Sequence, residues 1–172
     1  INRGPIIFFG NEFFDAIPIK QFLYKDKTLF ERCFSIDSKL RFKEVYRKAS
    51  NENIEKIKLF KVLNGLKFIE FPKIGFNEMD KMVKKIKELS GGILLIDYGY
   101  LDILNKSTLQ TVMNNKKVNI DFLFKNLGNA DITSLVNFSL LREYFLKNDL
   151  KVKKIVSQKF FLETMGIIER AK

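Results

Sequence analysis

Glu12 and Asp15 stand just past an uninterrupted apolar run, Ile6-Ile7-Phe8-Phe9, and Asp97 stands just past a second one, Ile93-Leu94-Leu95-Ile96. In open α/β sheets ligands bind outside the carboxyl ends of the strands, where polar groups on the following loops converge. Carboxylates in two such positions make these strand ends the best site candidate in the chain. A purely structural role is the alternative, with Asp15 capping a short helix and Asp97 ending a strand. The chain has no histidine, which removes Ser-His and Cys-His catalysis and histidine-ligated metals together. A single cysteine, Cys33, rules out an internal disulfide and a multi-thiolate zinc site, and fits a reducing compartment. Any acid or base must therefore be a carboxylate, a lysine or a tyrosine.

The elements that must position these groups follow from patterning. Ile6 to Phe9, closed by Gly10, reads as a strand buried on both faces of a parallel sheet. Ile19 to Tyr24 and Phe30 to Ile36 read as a hairpin about the charged turn Lys25-Asp26-Lys27-Thr28. Lys39 to Tyr46 and Lys67 to Phe71 are further strand candidates, while Arg47 to Leu63 is open between helix and loop. Met79, Met82, Val83, Ile86 and Leu89 recur at helical spacing, which predicts a helix from Asn77 to Leu89 capped by Asn77 and stopped by Ser90-Gly91-Gly92. That helix followed by the second apolar run forms an α/β crossover unit. Val136 to Leu146 is expected to be a helix and Val152 to Val156 an antiparallel strand. The apolar residues between Lys159 and Ile168 are expected to pack back onto the sheet.

With 172 residues, 46% of them hydrophobic, the chain can build one core of ordinary size. It starts at Ile1 without an initiator Met and enters almost at once on an apolar run, which suggests a piece of something longer. No stretch reaches the roughly 18 uninterrupted apolar residues of a membrane-spanning helix, and no secretory signal pattern is visible. The formal net charge of +11 raises nucleic acid as a partner. The cations are mostly lysines scattered among over-used Asn, Ile and Phe, so a compositional bias explains the charge better than phosphate recognition does.

Several segments in order carry a family resemblance. Asn11-Glu12-Phe13-Phe14-Asp15-Ala16-Ile17-Pro18 closely resembles the NEFFDALP segment of the MidA-like methyltransferases, which include the mitochondrial complex I assembly methyltransferase. Gln21-Phe22 and Glu31-Arg32 resemble the family's hairpin, and Gly91-Gly92 with Ile96-Asp97-Tyr98-Gly99-Tyr100 resembles its GG…IDYGY strand. Thr108-Leu109-Gln110 is similar to its TLQ. Ala130-Asp131-Ile132-Thr133 with Val136-Asn137-Phe138 resembles its ADLTAHVDF, and Gln158, Phe161-Leu162 and Gly166-Ile167 resemble its closing pattern.

This resemblance implies the C-terminal half of a class I methyltransferase, a Rossmann-like, mostly parallel α/β sheet, here a single partial domain over 1–172 with an antiparallel, β-rich insertion over 19–71. It also implies S-adenosylmethionine as methyl donor in the intact enzyme and arginine of a partner protein, such as a respiratory-complex subunit, as acceptor. The implied compartment is the cytoplasm in a bacterium or the mitochondrial matrix in a eukaryote. Carboxylates can grip a planar guanidinium bidentately and orient it, so Glu12, Asp15 and Asp97, in that order, are the candidate catalytic groups. Asn11, Phe13, Phe14, Tyr98 and Gly99 are the candidate walls of the acceptor channel. The chain departs from the family at Leu135, where His is usual, at Asn137, where Asp is usual, and at Asn114-Asn115-Lys116, where a His often follows TLQ. No two of its nine glycines stand one residue apart, so the G-x-G cofactor turn is missing, as is an acidic residue to hold the ribose. No cofactor-binding residue can be assigned, and a missing N-terminal half is the expected source of that site. The competing readings are a non-catalytic interaction or assembly module of the same fold, and a basic nucleic-acid-binding protein.

Overall fold

The computed structural model describes residues 3–39, 41–113, 116–118 and 128–172. Two parallel strands, β1 (Ile6–Asn11) and β6 (Gly91–Ile96), pair in register from Ile6 against Gly91 to Asn11 against Ile96. A separate antiparallel sheet contains β2 (Lys20–Lys25), β3 (Thr28–Ile36), β4 (Phe42–Lys48) and β5 (Phe68–Phe71), in the order β4-β3-β2-β5. The fold is thus mixed α/β. Parallel pairing among the described residues is confined to β1 with β6 and to the two-residue strands β7 (Gly99–Tyr100) and β11 (Val136–Asn137). A small antiparallel sheet has the order β10-β8-β9, from β8 (Gln110–Met113), β9 (Lys116–Val118) and β10 (Asp131–Thr133).

The β2–β3 hairpin turns on Asp26 and Lys27, both at positive φ (47° and 62°). That is the two-residue turn whose twist matches the flanking strands, and Asp tolerates it better than most residues. The stretch left open between helix and loop forms α1 (Asn51–Lys58), capped by the Ser50 side chain, and a short 3₁₀ turn (Lys61–Leu63).

Helix α2 (Lys73–Leu89) begins four residues before Asn77, with Pro72 at its N-cap, so Asn77 lies inside the first turns and does not cap it. Phe76 extends the apolar stripe of Met79, Val83 and Ile86 by one turn, and a proline at the boundary leaves no amide to satisfy. The helix stops at Ser90, which has a positive φ (63°). Gly91 follows at φ 127°, and a Cβ there would lie 1.8 Å from the Ile6 carbonyl oxygen. Only glycine allows β1 to come this close to the start of β6.

Phe22, Ile69 and Phe71 of the antiparallel sheet meet Phe76 and Met79 of α2 and Leu140 and Tyr144 of α3 (Phe138–Lys147) in one core. Phe76 and Tyr144 stack with centroids 4.5 Å apart, and the Tyr144 hydroxyl donates to Asp80 at 2.5 Å. Strand β1 is covered on one face only: Ile6 is buried, whereas Ile7 and Phe9 are 77% and 65% exposed. An apolar run alone does not distinguish one covered face from two. Val152 to Val156 forms no strand, since alternation without a ladder partner gives none. The tail folds instead into α4 (Gln158–Thr164), capped by Ser157, and α5 (Ile167–Arg170), neither of which contains a buried residue. Phe160, Met165 and Ile168 therefore face outward rather than packing on the sheet. Asn114 and Asn115 lie outside the described residues.

Candidate functional site

Because β1 and β6 run parallel, their carboxyl ends emerge side by side. The ladder ends where the Glu12 amide donates to the Ile96 carbonyl at 2.8 Å. Glu12 takes a left-handed backbone (φ 49°), uncommon for a residue with a side chain and found disproportionately at functional sites. That twist redirects the chain out of β1 across the end of β6.

Asp97 secures the crossing. Its Oδ2 accepts from the Phe14 amide at 2.7 Å and the Asp15 amide at 3.3 Å, and its Oδ1 accepts from the Tyr98 amide at 2.8 Å. A carboxylate satisfied by three backbone donors fixes loops more than it offers itself to a ligand. Phe14, held by this clamp, turns into the core at 5% exposure, edge-on to Phe13, so it anchors the loop and walls no channel. Phe13 remains partly exposed. Gly99 serves close packing, since a Cβ there would meet the Val136 carbonyl oxygen at 2.2 Å. Asn11 ends β1 on the exposed surface, paired with Ile96.

The other carboxylates gather beside the clamp. The Tyr98 hydroxyl lies near the Glu12 carboxylate, whose charge holds the phenol above its ordinary value. The Asp15 carboxyl is also raised above its ordinary 3.8, first by burial, then by the charge of Asp97 and, after that, of Glu12. A cleft of about 270 Å³ opens here, lined by Asp15, Tyr98, Gln110, Thr133, Ser134 and Leu135. The β10–β11 segment braces both strand ends: the Ser134 amide donates to the Asp15 carbonyl at 2.9 Å and the Val136 amide to the Tyr98 carbonyl at 2.8 Å. Gln110, Thr133, Ser134 and Leu135 were not site candidates in the sequence, because nothing local brings them to β1. Their only signal was membership in the TLQ-like and ADLT-like strings. Asn137 keeps a cap where the family has Asp, its Oδ1 accepting from the Leu140 amide at 2.9 Å, as either residue can.

A raised carboxyl makes a signed prediction. Folding favours protonated Asp15, so its penalty is absent below the unfolded value and full above the raised one. Asp15→Asn should raise the melting temperature near pH 7 and leave it nearly unchanged near pH 3. A loss of stability confined to neutral pH would contradict this assignment.

Chemically, two carboxylates and a phenol gathered beside one cleft suit a cationic, hydrogen-bond-donating group. The same residues do not suit a nucleotide cofactor: neither β1 nor β6 runs into a glycine turn at a helix N-terminus, the arrangement such cofactors need. No group of three His, Cys, Asp or Glu side chains among the described residues could hold a metal ion. No helix among them is long and apolar enough to cross a membrane.

A family model described as "Putative S-adenosyl-L-methionine-dependent methyltransferase" matches residues 1–156. The chain is 30% identical over 176 residues to the Danio rerio "Protein arginine methyltransferase NDUFAF7, mitochondrial", covering 99% of this chain and 39% of that protein. It is 28% identical over 177 residues to the Caenorhabditis elegans homolog of that protein, with the same coverage. A Burkholderia thailandensis crystal structure superposes with a TM-score of 0.77 at 22% identity, over 99% of this chain and 46% of that one. Another from the same organism, bound to S-adenosyl-homocysteine, gives 0.75 at 23% identity over 99% and 44%. The chain therefore spans about two-fifths of the length of the curated relatives it matches. With a family model covering most of its length and the NEFFDA-like and IDYGY-like segments meeting at one site, the chain belongs to the MidA-like family of S-adenosylmethionine-dependent methyltransferases.

Proposed function

We propose that this chain is the acceptor-side, C-terminal half of a class I protein arginine methyltransferase, a single partial domain over 1–172 with β2 to β5 as the insertion over 19–71. In this reading S-adenosylmethionine is held by a segment outside the chain, and the acceptor is an arginine of a partner protein, such as a respiratory-complex subunit. The observation that carries the reading is that Asp15 and Tyr98 line one cleft with Glu12 near both, on loops fixed by Asp97. The relatives' names, the mitochondrial arginine methyltransferases, support the acceptor and compartment.

The bound cofactor supplies an electrophilic methyl group. The chain's own residues do the rest. Glu12 and Asp15 pair with the guanidinium, lowering the cost of bringing it out of water and holding one terminal nitrogen toward the donor. Tyr98, near Glu12, leaves that carboxylate to the incoming cation, and Phe13 shields the approach from water. Asp97 acts through the loops it ties together and is a positioning residue.

The reading is tested by supplying the completed enzyme, this chain together with the cofactor-binding segment, with methyl-labelled S-adenosylmethionine and an arginine-containing acceptor. Mass spectrometry should find the label on a guanidino nitrogen. Label on lysine or carboxylate side chains only would reject arginine as the acceptor.

A further inference from the structure

Strand β5 carries one carboxylate in an otherwise apolar run, Phe68-Ile69-Glu70-Phe71, and Glu70 is buried. It forms no salt bridge among the described residues; three donors satisfy it instead. The Gln21 side-chain amide donates at 2.7 Å, the Thr108 amide at 3.0 Å and the Thr108 hydroxyl at 2.5 Å. The network continues in both directions. Gln21 also donates to Ser107 at 2.8 Å and accepts from Arg32 at 2.9 Å. The Thr108 hydroxyl, donating to Glu70, accepts from the Leu135 amide at 3.0 Å.

Leu135 lines the acceptor cleft, its neighbour Ser134 bonds the Asp15 carbonyl, and Thr133 pairs with Gln110 across β10 and β8. Every step from the antiparallel sheet to the cleft wall is therefore a direct hydrogen bond or a ladder pair. A buried carboxylate is costly unless all of its donors are in place, so Glu70 imposes one position on Thr108 and, through it, on Leu135.

We propose that Glu70 is the positioning residue of the acceptor cleft, setting its Ser134–Leu135 wall through the Thr108 hydroxyl. This makes the antiparallel sheet a part of the site rather than a neighbouring module. Its functional side rests on the cleft receiving the acceptor; its structural side does not.

The test compares Thr108→Val, which keeps shape and loses the hydroxyl, with Thr108→Ser, which keeps the hydroxyl, and with Glu70→Gln. Amide exchange in the completed enzyme should speed up about five- to tenfold at Leu135 and Ser134 in Thr108→Val and Glu70→Gln, as loss of one buried hydrogen bond implies. The Thr108→Ser variant should stay near the parent, and Leu23 and Phe30 in the β2–β3 hairpin should be unmoved in all three. The same two damaging variants should raise KM for the acceptor several-fold with cofactor affinity unchanged. Unaltered exchange at Leu135 overturns the proposal, and faster exchange with an unchanged acceptor KM overturns its functional side. An inactive parent enzyme would count against the acceptor reading alone, leaving the exchange result to decide the rest.

Discussion

In the completed enzyme, Glu12→Gln is expected to reduce methyl transfer by a factor of order 100 or more while cofactor affinity stays within about twofold. An amide has the shape of the carboxylate but no charge. Removing one member of a desolvated charge pair costs about 2–5 kcal/mol, and each 1.4 kcal/mol is tenfold. Glu12 is the residue to test because its backbone is already held in an unfavourable region (φ 49°) and its carboxylate lies near the exposed Tyr98. Asp97→Asn provides the contrast. There the side-chain NH2 would face either the Phe14 and Asp15 amides or, flipped, the Tyr98 amide, all donors that Asp97 now accepts from, so activity should fall together with amide protection of residues 12–15 and 98. Near-parental kcat/KM in Glu12→Gln would reject it as the acceptor clamp.

The second large effect concerns the edge of β1. The Ile6 amide donates to Ser90 and the Glu12 amide to Ile96, so by alternation the amides of Ile7, Phe9 and Asn11 point away from β6. Among the described residues no strand lies on that side, and the exposed face carries Ile7 and Phe9. An apolar strand with unpaired backbone groups is a template for association. The chain on its own is therefore expected to self-associate in sedimentation experiments, with Phe9→Lys shifting it toward monomer and the cofactor-binding segment abolishing the effect. A monodisperse monomer with strongly protected Ile7 and Phe9 amides would contradict this expectation.

The sequence was informative where the determinants are local. The apolar runs of β1 and β6, the glycine stop after α2 and the β2–β3 hairpin each follow from a few adjacent residues. The start of α2 is not visible in the periodic window, because Phe76, which opens its apolar stripe, lies before it. The tail is poorly legible because α4 depends on a Ser157 cap, a weak signal, and because burial depends on what lies opposite. The carboxylates at the two strand ends were legible, yet their division of labour was not. Whether Asp97 meets a ligand or two amides about eighty positions away is decided by the parallel register of β1 and β6. Glu70 had one available signal, a lone carboxylate within an apolar strand, and its partners Gln21 and Thr108 come from distant segments.

The proposed function divides the labour, with the acceptor held by this chain and the cofactor by a segment outside it. Calorimetric titration of S-adenosylmethionine into the chain alone tests it most directly. No saturable heat is expected at micromolar to millimolar ligand, because no glycine turn or ribose-binding acid is present, whereas the completed enzyme should give a saturable isotherm. Stoichiometric micromolar binding by the chain alone would contradict the account.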